Sequence, residues 1–317
     1  MSTPILAVVD IGSNSIKILV AARGPGAPAG PELIPLFQKT FETRISGGLG
    51  QERSRLGDAG MDAGVRAITE LFALAQPYAP THQKIVATSA VRDAQNRAEF
   101  SARVEAAAGA PIEILSGEDE ALLIARGIQT DPALGGAKSF CIMDLGGGSL
   151  ECIRYVNGAI ERAVSLQLGA VRLTEKFAPD PQGPFPPVAR IAVAQETRQA
   201  YAASGFQFLP GGKVVASGGA FSLVRALFGH RRGITDQSAW PAEILRSDLE
   251  KLLDEIAPLT TSERAGIPNF TRERADIMPA ALVTMITMLE LAGADRAYHS
   301  WNNLRFGVAA RFFAANP

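Results

Sequence analysis

The chain contains one strand–turn–strand pattern twice, and the two copies lie 134 residues apart (144 − 10). The first copy, residues 5–23, reads ILAVVDIGSNSIKILVAAR, and the second, residues 139–157, reads SFCIMDLGGGSLECIRYVN. Aligned without a gap, Asp10 falls on Asp144, and each copy runs from an apolar strand through an acidic residue and a Gly/Ser/Asn turn into a second strand. A repeat at the spacing of a domain predicts two related halves rather than a solenoid.

The length and composition are typical of a globular protein with two domains. A chain of 317 residues, 47% of them hydrophobic and 20% charged, can bury a large core in two domains. The net charge of −1 argues against a general nucleic-acid binder, so we expect no nucleic-acid partner. The most apolar stretch, residues 5–22, is interrupted by Asp10 and Lys17, and no basic flank of a signal peptide precedes it. We therefore expect no membrane partner and a cytoplasmic location.

Strand-like and helix-like segments alternate along the chain, which predicts an α/β fold. The predicted strands are 5–10, 16–23, 32–43, 84–89, 111–115, 139–144, 150–156, 159–166 and 214–217. The predicted helices are 61–78, 91–108, one from 116, one from about 170, one before 214, 219–228, most of 242–292, and 303–315. The domain junction is predicted near 124–130. The first domain would comprise 1–124 plus the C-terminal helix 300–317, and the second 125–299.

The first turn reads DIGSNS, starting at Asp10. Gly12 permits positive φ and lets backbone N–H groups approach a ligand closely. Side-chain donors follow at Ser13, Asn14 and Ser15, and an anion such as phosphate suits such a nest. The Asp10 carboxylate at the end of the strand could hold Mg²⁺ through water. A tight hairpin with Asx-type turn bonds explains this motif equally well.

The second turn reads DLGGGSLE, starting at Asp144. Its consecutive glycines Gly146, Gly147 and Gly148 are costly in a plain hairpin, where two residues would be enough. They are expected where the backbone wraps around an anion, with the Ser149 hydroxyl as a further donor. Two such turns at one spacing favour anion binding over two plain hairpins.

A third glycine turn follows the predicted strand 214–217. Gly218 and Gly219 open the next predicted helix. A helix N-terminus with glycines can accept a phosphate or let a nucleoside lie close. Strand–glycine–helix turns are also common in proteins without a ligand, so this motif alone leaves both interpretations open.

Three acids crowd the first turn of the helix that starts at Ser116. A capping box of Ser116 with Asp119, and the preference of acids for a helix N-terminus, account for Glu118 and Asp119. They account less well for Glu120, because one box needs one acid. The alternative function for such an acid is a general base that orients an attacking water.

Arg92 lies just after a buried strand, in the segment TSAVRDA. A guanidinium there could clamp a phosphate or offset charge in a transition state. A surface salt bridge to Asp93 or Glu99 is the simpler interpretation of the segment by itself.

Together these segments resemble the exopolyphosphatase / guanosine pentaphosphate phosphatase (Ppx/GppA) family, within the superfamily of sugar kinases, Hsp70 chaperones and actin. The matching motifs lie in the family's order through most of the chain: DIGSNS, TSAVRDA, ILSGEDEALLIARG, DLGGGSLE, LGAVRLTEKF, SGGAFSLVRAL and ERADIMPA. The resemblance implies two ribonuclease-H-like (actin-like ATPase) domains with a cleft between them. It also implies metal-dependent removal of the terminal phosphate from inorganic polyphosphate or from guanosine pentaphosphate (pppGpp).

The resemblance assigns roles to the residues singled out above. Glu120 corresponds to the catalytic glutamate, with Arg92 near the transition state. Metal ligands for Mg²⁺ or Mn²⁺ would be Asp10, Asp144 and Glu151. Phosphate would be bound by Gly12, Ser13, Asn14, Ser15, Gly146, Gly147, Gly148, Ser149, Gly218 and Gly219. The family's tendency toward dimers adds a homodimer as a candidate assembly.

The chain departs from the family pattern at four positions. Leu122 stands where arginine is frequent, Ala220 where threonine or serine is common, Ala280 where glycine is usual, and Phe306 where glutamate is usual. The last three lie on the side where the superfamily binds a nucleoside, so they bear on nucleotide recognition more than on phosphate hydrolysis. Four arginines are candidates to line the path of a polyanion: Arg44, Arg53, Arg55 and Arg172.

These features lead to an exopolyphosphatase as the expected function. The closest alternative is hydrolysis of pppGpp to ppGpp, which is the same chemistry on a different substrate. A non-catalytic sensor that binds polyphosphate or an alarmone is motivated by the departures and opposed by the acids that are present. A sugar or acetate kinase would need an acceptor pocket and an adenosine motif, and neither is evident in the sequence.

Overall fold

The computed structural model describes residues 4–24, 33–46, 55–134 and 136–316. These residues form two compact units. Unit 1 is built from the described parts of Met1–Gly135 and Asn302–Pro317, and unit 2 from those of Gly136–Trp301. The sequence-based junction at 124/125 falls inside a helix that the structure keeps whole in unit 1.

The strands and helices have the following bounds, in chain order. The strands are β1 (Ile5–Ile11), β2 (Ile16–Arg23), β3 (Leu33–Phe41), β4 (His82–Ala87), β5 (Ile112–Ile114), β6 (Phe140–Leu145), β7 (Leu150–Val156), β8 (Ala159–Leu166), β9 (Val214–Ser217), β10 (Glu243–Leu245) and β11 (Arg296–His299). The helices are α1 (Asp58–Ala75), α2 (Ser89–Arg92), α3 (Arg97–Ala108), α4 (Gly117–Ile128), α5 (Ala170–Phe177), α6 (Pro187–Ser204), α7 (Gly219–Arg231), α8 (Arg246–Ile256), α9 (Thr261–Ala265), α10 (Met278–Leu291) and α11 (Leu304–Ala315). Short 3-10 turns occupy Gln76–Tyr78, Pro132–Leu134, Gln237–Ala239 and Arg272–Arg274.

Each unit is organised around one twisted sheet. The strand order is β3-β2-β1-β4-β5 in unit 1 and β10-β11-β9-β6-β7-β8 in unit 2. In unit 1, β1 pairs antiparallel with β2 and parallel with β4. In unit 2, β6 pairs antiparallel with β7 and parallel with β9. The repeated sequence pattern therefore corresponds to a repeated arrangement of strands.

The central strands are apolar because both faces of each sheet are covered. Residues 6–9 and 18–21, in β1 and β2, are completely buried, as a near-continuous apolar run requires. Helix α1 buries one stripe, which includes Met61, Ile68 and Leu71, and this matches the period seen in the sequence. The edge strand β3 alternates less clearly and is partly exposed.

Three elements differ from the sequence-based expectation. The helix expected at 91–108 is two helices, α2 and α3, separated at residues 93–96, where the chain turns sharply. The stretch 242–292, expected to be mostly helical, begins with strand β10, and β11 was not expected. Both strands have only three or four residues, too few to show a period.

The C-terminal helix α11 belongs to unit 1 although it follows the whole of unit 2 in the chain. It packs against α4 and against β1 and β2. Arg311 on α11 forms an ion pair with Glu113 of β5, in which its Nη2 donates to both carboxylate oxygens at 2.8 Å. Within the described stretches, no helix combines the length and apolarity needed to cross a bilayer.

Candidate functional site

The first glycine turn joins β1 to β2 and is closed by a backbone hydrogen bond. The N–H group of Gly12 donates to the carbonyl of Ser15 at 3.1 Å. The three polar side chains of the turn are all buried: Ser13, Asn14 and Ser15. The Ser13 hydroxyl lies 3.2 Å from the Ser89 hydroxyl at the start of α2. The turn is therefore closed as in a hairpin, and its Ser13 side chain contacts the start of α2.

The second glycine turn joins β6 to β7 and has the same closing bond. The N–H group of Gly146 donates to the carbonyl of Ser149 at 3.0 Å. These residues are the equivalents of Gly12 and Ser15 at the 134-residue spacing (146 − 12 and 149 − 15). The two turns are thus the same local structure, as the aligned sequences predicted.

Both turns present backbone donors that have no acceptor in the part of the chain that the structure describes. The N–H groups of Ser13 and Asn14, and of their equivalents Gly147 and Gly148, donate to no acceptor among the described residues. Clustered N–H groups in a turn create a concavity that favours an anion. Phosphate binding by the two turns remains a prediction that this geometry fits.

The structure brings Arg92 and Glu120 together. Glu120 lies in the first turn of α4 and is 6% exposed, whereas Glu118 and Asp119 in the same turn are exposed. Arg92 ends α2, and its Nη1 is 2.7 Å from Glu120 Oε2. The same Nη1 donates to the carbonyl of Leu115 at 3.0 Å. The two residues that the sequence analysis selected separately therefore form one buried ion pair.

The simpler interpretations of these segments hold in part. The Ser116 hydroxyl accepts from the N–H group of Asp119 at 3.0 Å, so the cap accounts for Asp119. Arg92 Nε lies 3.8 Å from Asp93, which is one of the two salt bridges considered. The other does not form, because Glu99 pairs with Arg103 at 2.5 Å. None of these contacts accounts for the buried Glu120.

Arg92 also carries a second terminal nitrogen, Nη2, whose surroundings differ from those of Nη1. Its Nη2 is buried and donates to no acceptor in the described part of the chain. A buried donor left without an acceptor costs roughly 1–3 kcal/mol. An acceptor supplied by a bound anion would offset this cost.

The acid of the first turn is surrounded by cations. Asp10 is 8% exposed and pairs across the ladder with Lys17. Burial raises the pKa of Asp10, while the charges of Lys17 and Arg305 act in the opposite direction. Arg305, on α11, is itself buried, and its Nη1 donates to the carbonyl of Ile18 at 3.1 Å. Asp10 therefore already has positive charges beside it.

The acids of the second turn are instead placed next to each other. Asp144 and Glu151 are direct partners in the β6–β7 ladder, so both side chains lie on one face of the sheet. The Ser217 hydroxyl donates to Asp144, and the Ser165 hydroxyl donates to Glu151 at 2.8 Å. Like charges directly opposite in a ladder repel each other, and a bound cation would relieve this repulsion.

The carboxylates of the two turns include a pair that suits a magnesium ion, but they do not form a cluster of three ligands. Within the described ranges, no group of three or more His, Cys, Asp or Glu side chains is arranged to hold a metal. Magnesium commonly uses only one or two carboxylates, with waters and substrate phosphates as its other ligands. The pair Asp144 and Glu151 meets that requirement better than the single Asp10, whose charge Lys17 and Arg305 partly offset.

The surroundings of the third turn favour glycine at both of its positions without any ligand. Gly218 has φ of +101°, and an added Cβ atom there would overlap the Leu145 carbonyl. At Gly219 an added Cβ atom would overlap the guanidinium of Arg274, with Cζ only 2.6 Å away. Phosphate binding at this turn stays a prediction, because the backbone accounts for Gly218 and the Arg274 side chain fills the space beside Gly219.

Sequence reasoning missed several residues around these turns. Arg305 was not selected, although a lone arginine among the buried residues at the start of α11 was a usable signal. Arg274 and Ser217 gave no signal that could be read from spacing. His299 was not selected either, and it lies buried in unit 2 with its Nε2 3.1 Å from the Ser222 hydroxyl. Burial and the charge of Arg225 lower its pKa to about 3, so it is neutral at physiological pH.

The four departures and the four arginines have different surroundings. Leu122 is exposed on α4, and the other departures, Ala220, Ala280 and Phe306, are buried.

Two of the four candidate arginines contact the glycine turns. Arg44 Nε donates to the Asn14 side chain at 3.1 Å, and Arg172 Nε donates to the Gly148 carbonyl at 2.9 Å. Arg55 is exposed, and Arg53 lies outside the described residues.

Comparison with known proteins adds a family and a fold. A sequence model of the Ppx/GppA phosphatase family matches residues 19–312. The uncharacterized protein SCO0757 of Streptomyces coelicolor is 30% identical over 325 residues, which cover 98% of this chain and 90% of the relative. These matches span nearly the whole chain, as the order of motifs predicted.

Solved structures show the same architecture. An exopolyphosphatase from Cytophaga hutchinsonii superposes with a TM-score of 0.86 at 21% identity, covering 98% of each chain. The Aquifex aeolicus PPX-GPPA enzyme superposes with a TM-score of 0.77 at 22% identity, covering 98% of this chain and all of that one (100%). The predicted α/β class and two-domain actin-like fold are therefore confirmed.

Proposed function

This chain belongs to the Ppx/GppA phosphatase family, and we propose that it is an exopolyphosphatase that hydrolyses the terminal phosphoanhydride bond of inorganic polyphosphate. The observation that supports this most strongly is the buried pair of Arg92 and Glu120. A surface salt bridge does not require a buried carboxylate, nor a buried guanidinium donor that has no acceptor among the described residues. Relatives described as exopolyphosphatases share the fold.

In the proposed reaction, Glu120 is the general base. A water molecule attacks the terminal phosphorus and forms the new P–O bond as the bridging P–O bond breaks. The water proton passes to Glu120, and the shortened polyphosphate leaves with the electron pair of the broken bond. Arg92 Nη1 holds Oε2 of Glu120 in one orientation, and orientation of the nucleophile is a main source of rate in phosphoryl transfer.

The glycine turns bind phosphate oxygens in this proposal. The N–H groups of Ser13, Asn14, Gly147 and Gly148 supply donors without protein acceptors among the described residues. Fixed backbone donors stabilise developing negative charge without reorganisation. Arg92 Nη2 adds a charged donor.

Asp144 and Glu151 are the residues that would hold a divalent cation, Mg²⁺ or Mn²⁺. When bound, such an ion neutralises charge on phosphate oxygens. Asp10 is a weaker candidate ligand, because Lys17 and Arg305 partly offset its charge.

Hydrolysis of pppGpp is the competing function, and one observation disfavours it. The Arg274 guanidinium lies directly against Gly219, at the turn where the superfamily resemblance would place a nucleoside. A nucleoside could lie on Gly219 only after this side chain moved. A polyphosphate chain makes no such demand.

The test is phosphate release by the wild-type protein from long-chain polyphosphate and, in parallel, from pppGpp, with Mg²⁺ or Mn²⁺ and with EDTA. We expect metal-dependent release that is faster from polyphosphate. Faster release from pppGpp would favour pppGpp hydrolysis as the function over polyphosphate hydrolysis. Binding of polyphosphate without release under any metal would favour the non-catalytic sensor.

A further inference from the structure

Helix α5 begins beside the second glycine turn, and its first residues bind the backbone of that turn. The N–H group of Ala170 donates to the Gly146 carbonyl at 3.0 Å, and that of Val171 donates to the Gly147 carbonyl at 2.8 Å. The first N–H groups of a helix have no partner inside the helix. Here they bind the protein's own turn, so this helix N-terminus is not the phosphate site.

Arg172 completes the set of contacts. Its N–H group donates to the Gly147 carbonyl at 3.2 Å, and its Nε donates to the Gly148 carbonyl at 2.9 Å. The start of α5 therefore binds the carbonyl groups of all three consecutive glycines.

These bonds determine where the N–H groups of the turn point. In a trans peptide, the carbonyl of one residue and the N–H group of the next point in opposite directions. The described chain contains no cis peptide bond. Because the Gly146 and Gly147 carbonyls point toward α5, the N–H groups of Gly147 and Gly148 point away from it, and they donate to no acceptor among the described residues.

Gly169 allows the helix to approach the turn this closely. It is the residue before α5, with φ of −66° and ψ of 150°, a conformation open to any residue. Its requirement is space, because an added Cβ atom would overlap the carbonyl group of Gly147 and the backbone of Gly148. Any larger residue would push the turn and the helix apart.

We propose that the segment Gly169–Arg172 is a positioning element that orients the N–H donors of the second turn toward the terminal phosphate. This inference rests on the proposed function, in which that turn binds phosphate. Gly169 supplies the close approach, and Arg172 Nε fixes the last of the three carbonyls. Neither residue needs to touch the substrate for this role.

The test compares Gly169→Ala with Gly57→Ala. Gly57 precedes α1 in the same position and conformation, with φ of −73° and ψ of 152°, but an added Cβ atom there meets nothing within 4 Å. Both variants therefore change helix capping alike, and only one displaces a glycine turn. We expect Gly169→Ala to raise KM for polyphosphate, and the inhibition constant of inorganic phosphate, about 10- to 100-fold, with a smaller change in kcat. We expect Gly57→Ala to change KM less than about twofold.

A second pair of variants covers the case in which Gly169→Ala does not fold. Arg172→Gln places an N–H donor where Nε lies, whereas Arg172→Met has a similar length and no donor. Both lose the charge, so the difference between them isolates the hydrogen bond to Gly148. We expect Arg172→Met to have a KM about fivefold above that of Arg172→Gln, in line with the loss of one hydrogen bond.

Two results would overturn the inference: equal KM values for Gly169→Ala and Gly57→Ala, or equal values for the two Arg172 variants. If the wild type binds polyphosphate without hydrolysing it, the proposed catalysis fails, and the same comparisons apply to the dissociation constant of polyphosphate. If the wild type binds neither polyphosphate nor inorganic phosphate, both proposals fail.

Discussion

The two glycine turns share one backbone and differ in the charge that faces their acid. Both are closed by the same hydrogen bond, from the first glycine to a serine carbonyl. Across the ladder from Asp10 stands Lys17, and at the equivalent position across from Asp144 stands Glu151 (151 − 17 = 134). One turn therefore pairs its acid with a cation, and the other pairs its acid with a second acid.

This difference indicates that the two turns have different tasks, which the repeated sequence alone would not show. The second turn, with two neighbouring carboxylates, suits a bound cation. In the first turn, Lys17 and Arg305 partly offset the charge of Asp10, and unit 1 adds the Arg92–Glu120 pair from α2 and α4, outside the repeated segment. The duplicated backbone supplies anion donors twice, and the residues around it make the two halves chemically different.

The turns also differ in how their carbonyls are anchored. In unit 1 an irregular segment after β3 does this: Ser46 Oγ donates to the Ser13 carbonyl at 2.8 Å, and the Arg44 N–H group donates to the Asn14 carbonyl at 2.9 Å. In unit 2 the start of α5 does it. In both units the anchoring segment follows the third strand of the antiparallel set, β3 or β8, so one task is performed by two local structures.

The largest effect on this comparison is expected from removing the second acid of unit 2. Glu151→Gln should raise the Mg²⁺ concentration for half-maximal activity about tenfold, because one of two neighbouring carboxylates is lost. Lys17→Gln, the equivalent change in unit 1, should leave it within about twofold. Metal titrations of phosphate release, and of Mn²⁺ binding, check both variants. Equal shifts would show that the two turns do not divide the tasks in this way.

A smaller effect is expected from the anchor of the first turn. Ser46→Ala removes the hydroxyl that holds the Ser13 carbonyl, and one such bond contributes about 1 kcal/mol, or about fivefold in KM. Ser101→Ala, which removes a hydroxyl bonded to the Arg97 carbonyl on α3, is the control and should leave KM unchanged. Steady-state kinetics with polyphosphate as the substrate measure the KM of both variants. A KM for Ser46→Ala equal to that of the control would mean that the first turn needs no such anchor.

The smallest effect is on stability and concerns Asp10. Burial raises its pKa above 3.8, so the folded state disfavours the charged form, and ionisation destabilises the fold as pH rises through 3.8 toward the folded-state pKa. Asp10→Asn should therefore have a higher Tm than the wild type at pH 7 in EDTA, and the difference should vanish below the unfolded-state pKa. The gain is limited because Lys17 and Arg305 partly compensate the charge. Thermal unfolding at several pH values measures it, and a lower Tm for the variant at pH 7 would contradict this account.

The fold could be predicted well from the sequence because its signals are local. The apolar runs of β1 and β6 and the period of α1 each lie within one segment. The break between α2 and α3 was missed because residues 93–96 carry no glycine or proline to mark it. Strands β10 and β11 were missed because short strands are defined by their neighbours, which are distant in sequence.

The candidate site was predictable as a set of residues and not as a set of contacts. Glu120 was selected because capping left one acid unexplained, and the structure shows it buried while Glu118 is exposed. Its pairing with Arg92 could not be read from the sequence, because that contact depends on how α2 and α4 pack. The same holds for Arg305 and Arg274, which come from segments far along the chain.

The most direct test of the account is the rate of phosphate release from polyphosphate by Glu120→Gln beside Glu118→Gln. Both substitutions neutralise an acid in the first turn of α4, and only Glu120 is buried against Arg92. We predict that Glu120→Gln lowers kcat about 10²- to 10⁴-fold with polyphosphate binding retained, while the kcat of Glu118→Gln stays near that of the wild type. Equal activity in the two variants would contradict it and remove Glu120 from the role of base.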